Sequence, residues 1–277
     1  MATSDINFHQ SFKPEMDYIA KIMEIANCGY AEISKDEISE MTGIPTGKSS
    51  GKVEPHIDYA SFMNLIEYKK ISKGYNMKLT EMGELIYNED PFFLEELSRI
   101  LCNYFLTSNI SGAPIWNDIT RNIRHKYGNS VKESVVKKEL DDKYSKNIKI
   151  SQFNSTYESD SSLGGIEFMN LEDSNGLRNI IFSDIKPKSE YIYMYGYTLI
   201  KELENEIFGN RKEFTEEEIF NGICWNNGLG MTYDNGIKVL EELNDIGVIK
   251  LNKQLSPMTI ILNTHSDELI ESIYSLL

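Results

Sequence analysis

The chain has 277 residues, with 28 Lys or Arg against 43 Asp or Glu and a net charge of −15. A broadly acidic surface repels phosphate, so indiscriminate coating of nucleic acid is excluded, and an ordinary hydrophobic content of 40% excludes wholesale disorder. No apolar run approaches the roughly 20 residues that span a bilayer, which predicts no membrane partner. No signal peptide is evident at the start, and Cys28, Cys102 and Cys224 lack CxxC neighbours, so reduced thiols in a cytoplasmic protein are expected.

In chain order, Phe12 to Ala26 has apolar residues at helical spacing, with Pro14 tolerated in the first turn. Ser34 followed by Glu37 is a capping-box pattern that predicts a helix to Met41. The turn Gly43-Ile44-Pro45-Thr46-Gly47 ends it, and a second helix is expected from His56 to Lys69 with Lys69 and Lys70 at its negative pole. Gly74 then precedes a short strand, Met77 to Leu79, and Leu79-Thr80-Glu81-Met82-Gly83 opens another helix. This order is that of a winged helix-turn-helix, in which the second helix and the wing share a face.

Further helices are predicted over Phe92 to Leu106, Ile115 to Tyr127 and Lys132 to Tyr144. Gln152 to Asn175 is rich in Ser, Asn, Asp and Gly and reads as a linker, part of which docks through Ile166, Phe168, Met169 and Leu171. Tyr191 to Leu203 is an aromatic-rich helix, Thr215 and Glu218 form a second capping box, and Asp234 to Ile246 is helical. Two strands, Val248 to Leu251 and Met258 to Leu262, close the chain. The expected fold is mainly α with small β wings. It comprises a winged helix-turn-helix over 12–90, a helical middle region over 91–150, an irregular linker over 151–188 and a winged-helix-like domain over 189–277.

Charge is distributed unevenly. Gly43 to Thr80 carries Lys48, Lys52, Lys69, Lys70, Lys73 and Lys78 against three acids, and Arg121 to Lys149 has nine basic residues against four. From Lys201 onward, six basic residues face fourteen acidic ones. Basic islands in an acidic chain suit local contact with double-stranded DNA, while the acidic end suits a protein partner or a second copy. Thr46, Lys48, Ser49, Ser50 and Lys52 are candidate phosphate contacts, with His56, Lys69, Lys70, Lys73 and Lys78 beside them. Arg121 and Arg124, together with Lys126, Lys132, Lys137 and Lys138, form either a second phosphate-facing strip or an ordinary helix surface.

No motif announces catalysis. Gly43 to Ser49 has three residues between its glycines where a phosphate-binding P-loop needs four, and a helix where that motif needs a strand. His9, His56, His125 and His265 are scattered without metal-ligand spacing, so no metal or other cofactor is expected. Ser161-Ser162-Leu163-Gly164-Gly165 lacks the flanking glycines of a nucleophile elbow, and Asp141-Asp142 and Glu216 to Glu218 read as solvated helix ends.

The opening Phe8-His9-Gln10-Ser11-Phe12, with Ile19-Ala20-Lys21, resembles that of the prokaryotic family catalogued as domain of unknown function 4007. The Leu-rich helix at Phe92 to Leu106, then Ser108-Asn109 and Ile115-Trp116-Asn117, is similar to that family in order, although Gln10 and Ser11 replace its commoner acidic and Thr residues. The resemblance implies an accessory protein found near DNA sulfur modification (phosphorothioation) and other anti-phage gene sets, with winged-helix character and no established catalytic residues. The leading expectation is therefore a non-enzymatic DNA-binding accessory or regulatory protein. A scaffold subunit that docks through its winged helices is the alternative. A nuclease subunit comes third, since no carboxylate spacing suits Mg²⁺.

Overall fold

Local capping chemistry sets the first third of the chain. The computed structural model describes residues 6–47, 51–204, 209–254 and 256–277. Helix α1 (Met16–Asn27) buries Met16, Ile19, Ile22, Met23 and Ile25. Helix α2 (Lys35–Thr42) starts with the expected capping box: Ser34 Oγ accepts from the Glu37 N–H at 3.2 Å, and the Glu37 carboxylate accepts from the Ser34 N–H at 2.8 Å. Helix α3 (Val53–Phe62) follows, then a hairpin of β1 (Ile66–Ile71) and β2 (Gly74–Leu79) paired from Ile66↔Leu79 to Ile71↔Gly74.

The helix expected to run from His56 to Lys69 therefore stops early. Asn64 adopts φ +58°, which ends the helical path and turns the chain into β1. Tyr59, Met63 and Ile66 keep helical spacing across this switch, so periodicity alone conceals it. Helix α4 (Glu81–Glu89) begins at Thr80, whose hydroxyl accepts from the Gly83 N–H at 2.9 Å. A Cβ on Gly83 would stand 1.9 Å from the Leu65 carbonyl oxygen, so the Thr-x-x-Gly pattern reflects a cap and a close backbone approach.

Helix α5 (Glu96–Leu106) starts later than periodicity suggests, because the Asp90 carboxylate accepts from the Leu94 and Glu95 N–H groups at 2.8 and 2.9 Å and holds a turn there. Helix α6 (Pro114–Asn117) runs through a π-helical turn (Asp118–Ile123) into α7 (Arg124–Tyr127). Then come β3 (Ser130–Lys132), α8 (Glu133–Tyr144), α9 (Ser151–Glu158), β4 (Met169–Ser174) and β5 (Leu177–Phe182). The stretch read as an irregular linker is thus ordered. Phe153, Tyr157, Phe168, Ile180 and Phe182 are buried, and Asn175-Gly176, both at positive φ, form the two-residue turn between β4 and β5.

The last third holds α10 (Ile192–Leu203), β6 (Glu213–Thr215), a π-helical turn (Glu218–Gly222), α11 (Trp225–Gly228), α12 (Tyr233–Asp245), β7 (Ile249–Asn252) and β8 (Thr259–Leu262). Its capping box also forms, with Thr215 Oγ1 accepting from the Glu218 N–H at 3.2 Å.

One path is thus followed three times: helix, short strand, helix, helix, hairpin. β3 pairs with β5 and β6 with β8, while in the first unit a single β-bridge from Ile33 to Tyr75 of β2 takes the place of the opening strand. A continuous apolar core joins the three units. Trp116 lies 5.8 Å from Phe8, 5.6 Å from Tyr59 and 6.2 Å from Phe153, linking the first unit to the second. Arg121 and Glu202, each 1% exposed, pair at 3.4 Å between the second and third. Replacing Glu202 with Gln leaves a buried cation without its counter-charge, and urea unfolding should show a loss of about 3–5 kcal/mol. The same change at Glu241, whose partner Lys253 is exposed, is expected to leave the midpoint nearly unchanged.

Candidate nucleic-acid interface

The loop between α2 and α3 is anchored by buried Ile44 and closed by the Lys52 N–H donating to the Pro45 carbonyl at 2.8 Å. Thr46 is half-buried in it, and Lys48, Ser49 and Ser50 lie outside the described residues. Lys52 is engaged within the protein. Its ammonium meets the Glu15 carboxylate at 2.5 Å and lies 5.6 and 5.3 Å from the ring centres of Phe12 and Tyr18.

His56 is also structural. Its Nδ1–H donates to the Lys52 carbonyl at 2.7 Å, and Nε2 accepts from the Glu15 N–H at 3.1 Å. Only the neutral ring satisfies both contacts. The side chain is fully buried, and burial pushes its pKa down to about 4. His56 is therefore no DNA contact here, but a clasp between α3 and the segment entering α1.

Helix α3 itself does not offer a basic edge. Val53, Pro55, His56, Ile57, Tyr59 and Ala60 are buried, and its partly exposed residues include Glu54 and Asp58. The hairpin covers that acidic side, with the Tyr75 hydroxyl donating to Glu54 at 2.7 Å and the Tyr68 hydroxyl to Asp58. The Tyr75 bond, with Lys70 nearby at 3.3 Å, holds the Glu54 carboxyl below its usual range. Insertion of residues 56–70 into a major groove as one helix is overturned, since Lys69 and Lys70 belong to β1.

The hairpin presents the remaining cations of this unit. Strand alternation and register place Glu67, Lys69, Asn76 and Lys78 on one face, away from Tyr68 and Lys70. Lys69 is exposed and has no ion pair among the described residues, and Lys73 stands exposed in the turn. Lys78 pairs with Glu67 at 3.0 Å, but both side chains are about two-thirds exposed.

Arg121 and Arg124 are 1% and 2% exposed, so neither belongs to a phosphate-facing strip. Arg121 Nη1 donates to the carbonyls of Ile223 and Cys224 at 3.1 and 2.9 Å besides Glu202, and its Nε donates to Thr107. Burial opposes this charge, but Glu202 and Tyr104 raise its pKa above the ordinary value. Arg124 donates to Asn129, Asn227 and Ser183 and packs over the Phe168 and Phe182 rings, and burial lowers its pKa to about 10.

Two residues that the charge map did not single out, Lys149 and Arg178, meet at a cleft of about 570 Å³ between α8, α9 and the β4–β5 hairpin. The Asn-Gly turn between alternating apolar residues was the available sequence signal for that hairpin. Among the described residues, no group of three or more His, Cys, Asp or Glu is arranged to hold a metal ion, and no helix is long and apolar enough to cross a membrane.

No family model and no curated protein matches the chain. Solved structures of similar fold include an SspB crystal structure (TM-score 0.75, 12% identity) and a magnesium ion-bound SspB crystal structure (TM-score 0.73, 13% identity). Each likeness covers 98% of this chain and 86% of the other. At such identity the likeness is one of fold.

The clasp at His56 yields a pH dependence. The unfolded ring binds a proton near pH 6.5 and the folded one near 4, so the unfolded state holds more protons in between. The stabilisation is complete above the unfolded value and is lost as pH falls toward 4, about 3 kcal/mol in all. Urea midpoints measured from pH 7.5 to 4.5 should fall in this window. A His56→Gln variant should lose that part of the slope, and an identical slope in both proteins would rule the clasp out.

Proposed function

We propose that this chain is a non-enzymatic DNA-binding accessory or regulatory protein of a prokaryotic anti-phage system linked to DNA modification. Its first unit is read as a winged helix that touches the duplex with its wing, the β1–β2 hairpin. The observation that carries this reading is the hairpin's outer surface, where Lys69 and Lys73 stand exposed and Lys78 has only an exposed partner. The recurring helix, strand, helix, helix, hairpin path supports the winged-helix assignment. Wing lysines supply charge to phosphates without reading bases, so they position a protein more than they specify a sequence.

Two lines support the biological context. The sequence resembles the domain of unknown function 4007 family through short motifs between Phe8 and Asn117, and the fold is similar to SspB over nearly the whole chain. Together they favour a phosphorothioation and defence setting. Magnesium is bound in one SspB structure, and among the described residues here no group of three or more His, Cys, Asp or Glu is arranged to hold a metal ion.

The third unit suits a protein partner or a second copy. Glu213, Glu217, Asp234, Asp245, Asp267, Glu268 and Glu271 are exposed there, and such a surface repels a duplex. This acidic face favours docking within a larger assembly.

Duplex binding measured against salt concentration tests the wing. Each lysine that neutralises a phosphate contributes about −0.9 to the log–log slope, so Lys69→Ala with Lys73→Ala should flatten it by about 1.8. Unchanged affinity and slope in the double variant would refute wing contact.

A further inference from the structure

We infer that the second unit carries its own duplex-phosphate site, in the cleft between α8, α9 and the β4–β5 hairpin. This inference rests on the reading that duplex DNA is the partner, but it does not depend on the first hairpin. Helix α9 occupies in its unit the position that α3 and α12 occupy in theirs, last before the hairpin. The three helices differ in what they leave open. Helix α3 is covered by Tyr68 and Tyr75 over two carboxylates, and α12 exposes Asp234 and Asp245. Helix α9 leaves Ser151 exposed and Gln152 and Ser155 half-exposed, with Glu158 only at its far end.

The cleft in front of α9 has cations on three sides. Lys137 comes from α8, Lys149 from the segment entering α9, and Arg178 from β5. Lys149 is exposed and has no ion pair among the described residues, and Arg178 meets only Asp173 at 3.5 Å, across exposed side chains. Lys137 is held by Asp141 and Asn147 at 2.7 and 2.6 Å, which fixes its ammonium in place. Two carboxylates also line the cleft: Glu133, engaged by the Asn154 amide at 2.7 Å, and Glu158. Three cations face two carboxylates in the lining, and with Asp141 on Lys137 and Asp173 on Arg178, Lys149 is the lining cation with no ion pair among the described residues.

Two features suit this cleft to a bound anion. The first turn of α9 has no side-chain cap, so its N–H groups and positive dipole end are available beside Ser151. Asn154, 4% exposed, donates its Nδ2–H to the Glu133 carboxylate at 2.7 Å, so that acid of the lining is already engaged within the protein. Lysine, arginine, hydroxyls and helix N–H groups around one cleft make up the usual phosphate-binding set.

The test compares three full-length proteins for binding to a duplex across salt concentrations: the parent, Lys149→Ala with Arg178→Ala, and Lys69→Ala with Lys73→Ala. Both substituted pairs are on the surface, and equal unfolding midpoints would show that the fold is kept. Removing Lys149 and Arg178 should flatten the slope by about 1.8 and weaken binding on the order of tenfold at low salt. Hydrogen exchange of residues 147–155 should slow when duplex is added to the parent protein. A loss in the cleft variant alone supports this site and rejects the wing. A loss in the wing variant alone, with no protection of 147–155, overturns the cleft. No duplex binding by the parent protein overturns the reading beneath both.

Discussion

The buried ion pair between Arg121 and Glu202 is the constraint on which the arrangement of the second and third units depends. A guanidinium away from water must have most of its donors met, and here partners come from three directions: Thr107 after α5, Glu202 on α10, and the chain at Ile223 and Cys224. Glu202 is met in turn by the Tyr104 hydroxyl at 2.6 Å and the Asn109 N–H at 2.9 Å. Separation of the units would strand one of these charges, so their interface resists sliding in a way that an apolar contact alone would not. A pair of this kind is a weak source of net stability but a strong determinant of geometry. Its one open donor, Arg121 Nη2, marks how tightly the chain is drawn around it at Gly228.

The same use of polar side chains as fasteners explains the altered interface. Arg124 ties the α7 helix to Ser183 and Asn227, Lys52 ties the α3 start to Glu15, and His56 closes the same joint. With Arg121, four groups expected on a DNA-facing surface are thus consumed in holding the molecule together. Exposed cations remain on the β1–β2 and β4–β5 hairpins and on α8 and its flanks, and others, such as Lys212, Lys238 and Lys250, lie among the acids of the third unit.

Local signals were legible in the sequence where a few residues decide them. Both capping boxes form, Thr80 and Gly83 act as their pattern implies, and the closing β7–β8 hairpin lies where alternation placed it. The switch from α3 to β1 was not legible, because the apolar spacing continues through Asn64 and only a backbone angle changes. The second unit was hidden by its composition. The outer face of α9, with Ser151, Gln152, Ser155 and Glu158, is the solvent side of an ordinary amphipathic helix, yet in sequence it resembles a linker. Arginine burial was not readable at all. A guanidinium at helical spacing looks the same whether water or a carboxylate from residue 202 meets it.

The threefold path gives the charge distribution its meaning. Three units that share a backbone order also share the places where a hairpin and its preceding helix can meet a partner. What separates them is side-chain chemistry: tyrosines over carboxylates in the first, serines beside cations in the second, and exposed carboxylates in the third. Under the proposed reading, weak phosphate contacts on two units would gain from being held in one body, because the second contact would form at a high effective concentration rather than from bulk. That gain requires fixed spacing between units, which Trp116 provides at one joint. The acidic third unit, anchored through Arg121 and Glu202, is held at a fixed orientation to the second. Under the proposed DNA contact, repulsion between that unit and phosphate would restrict which way the body lies on a duplex, and the buried pair would then help set binding polarity.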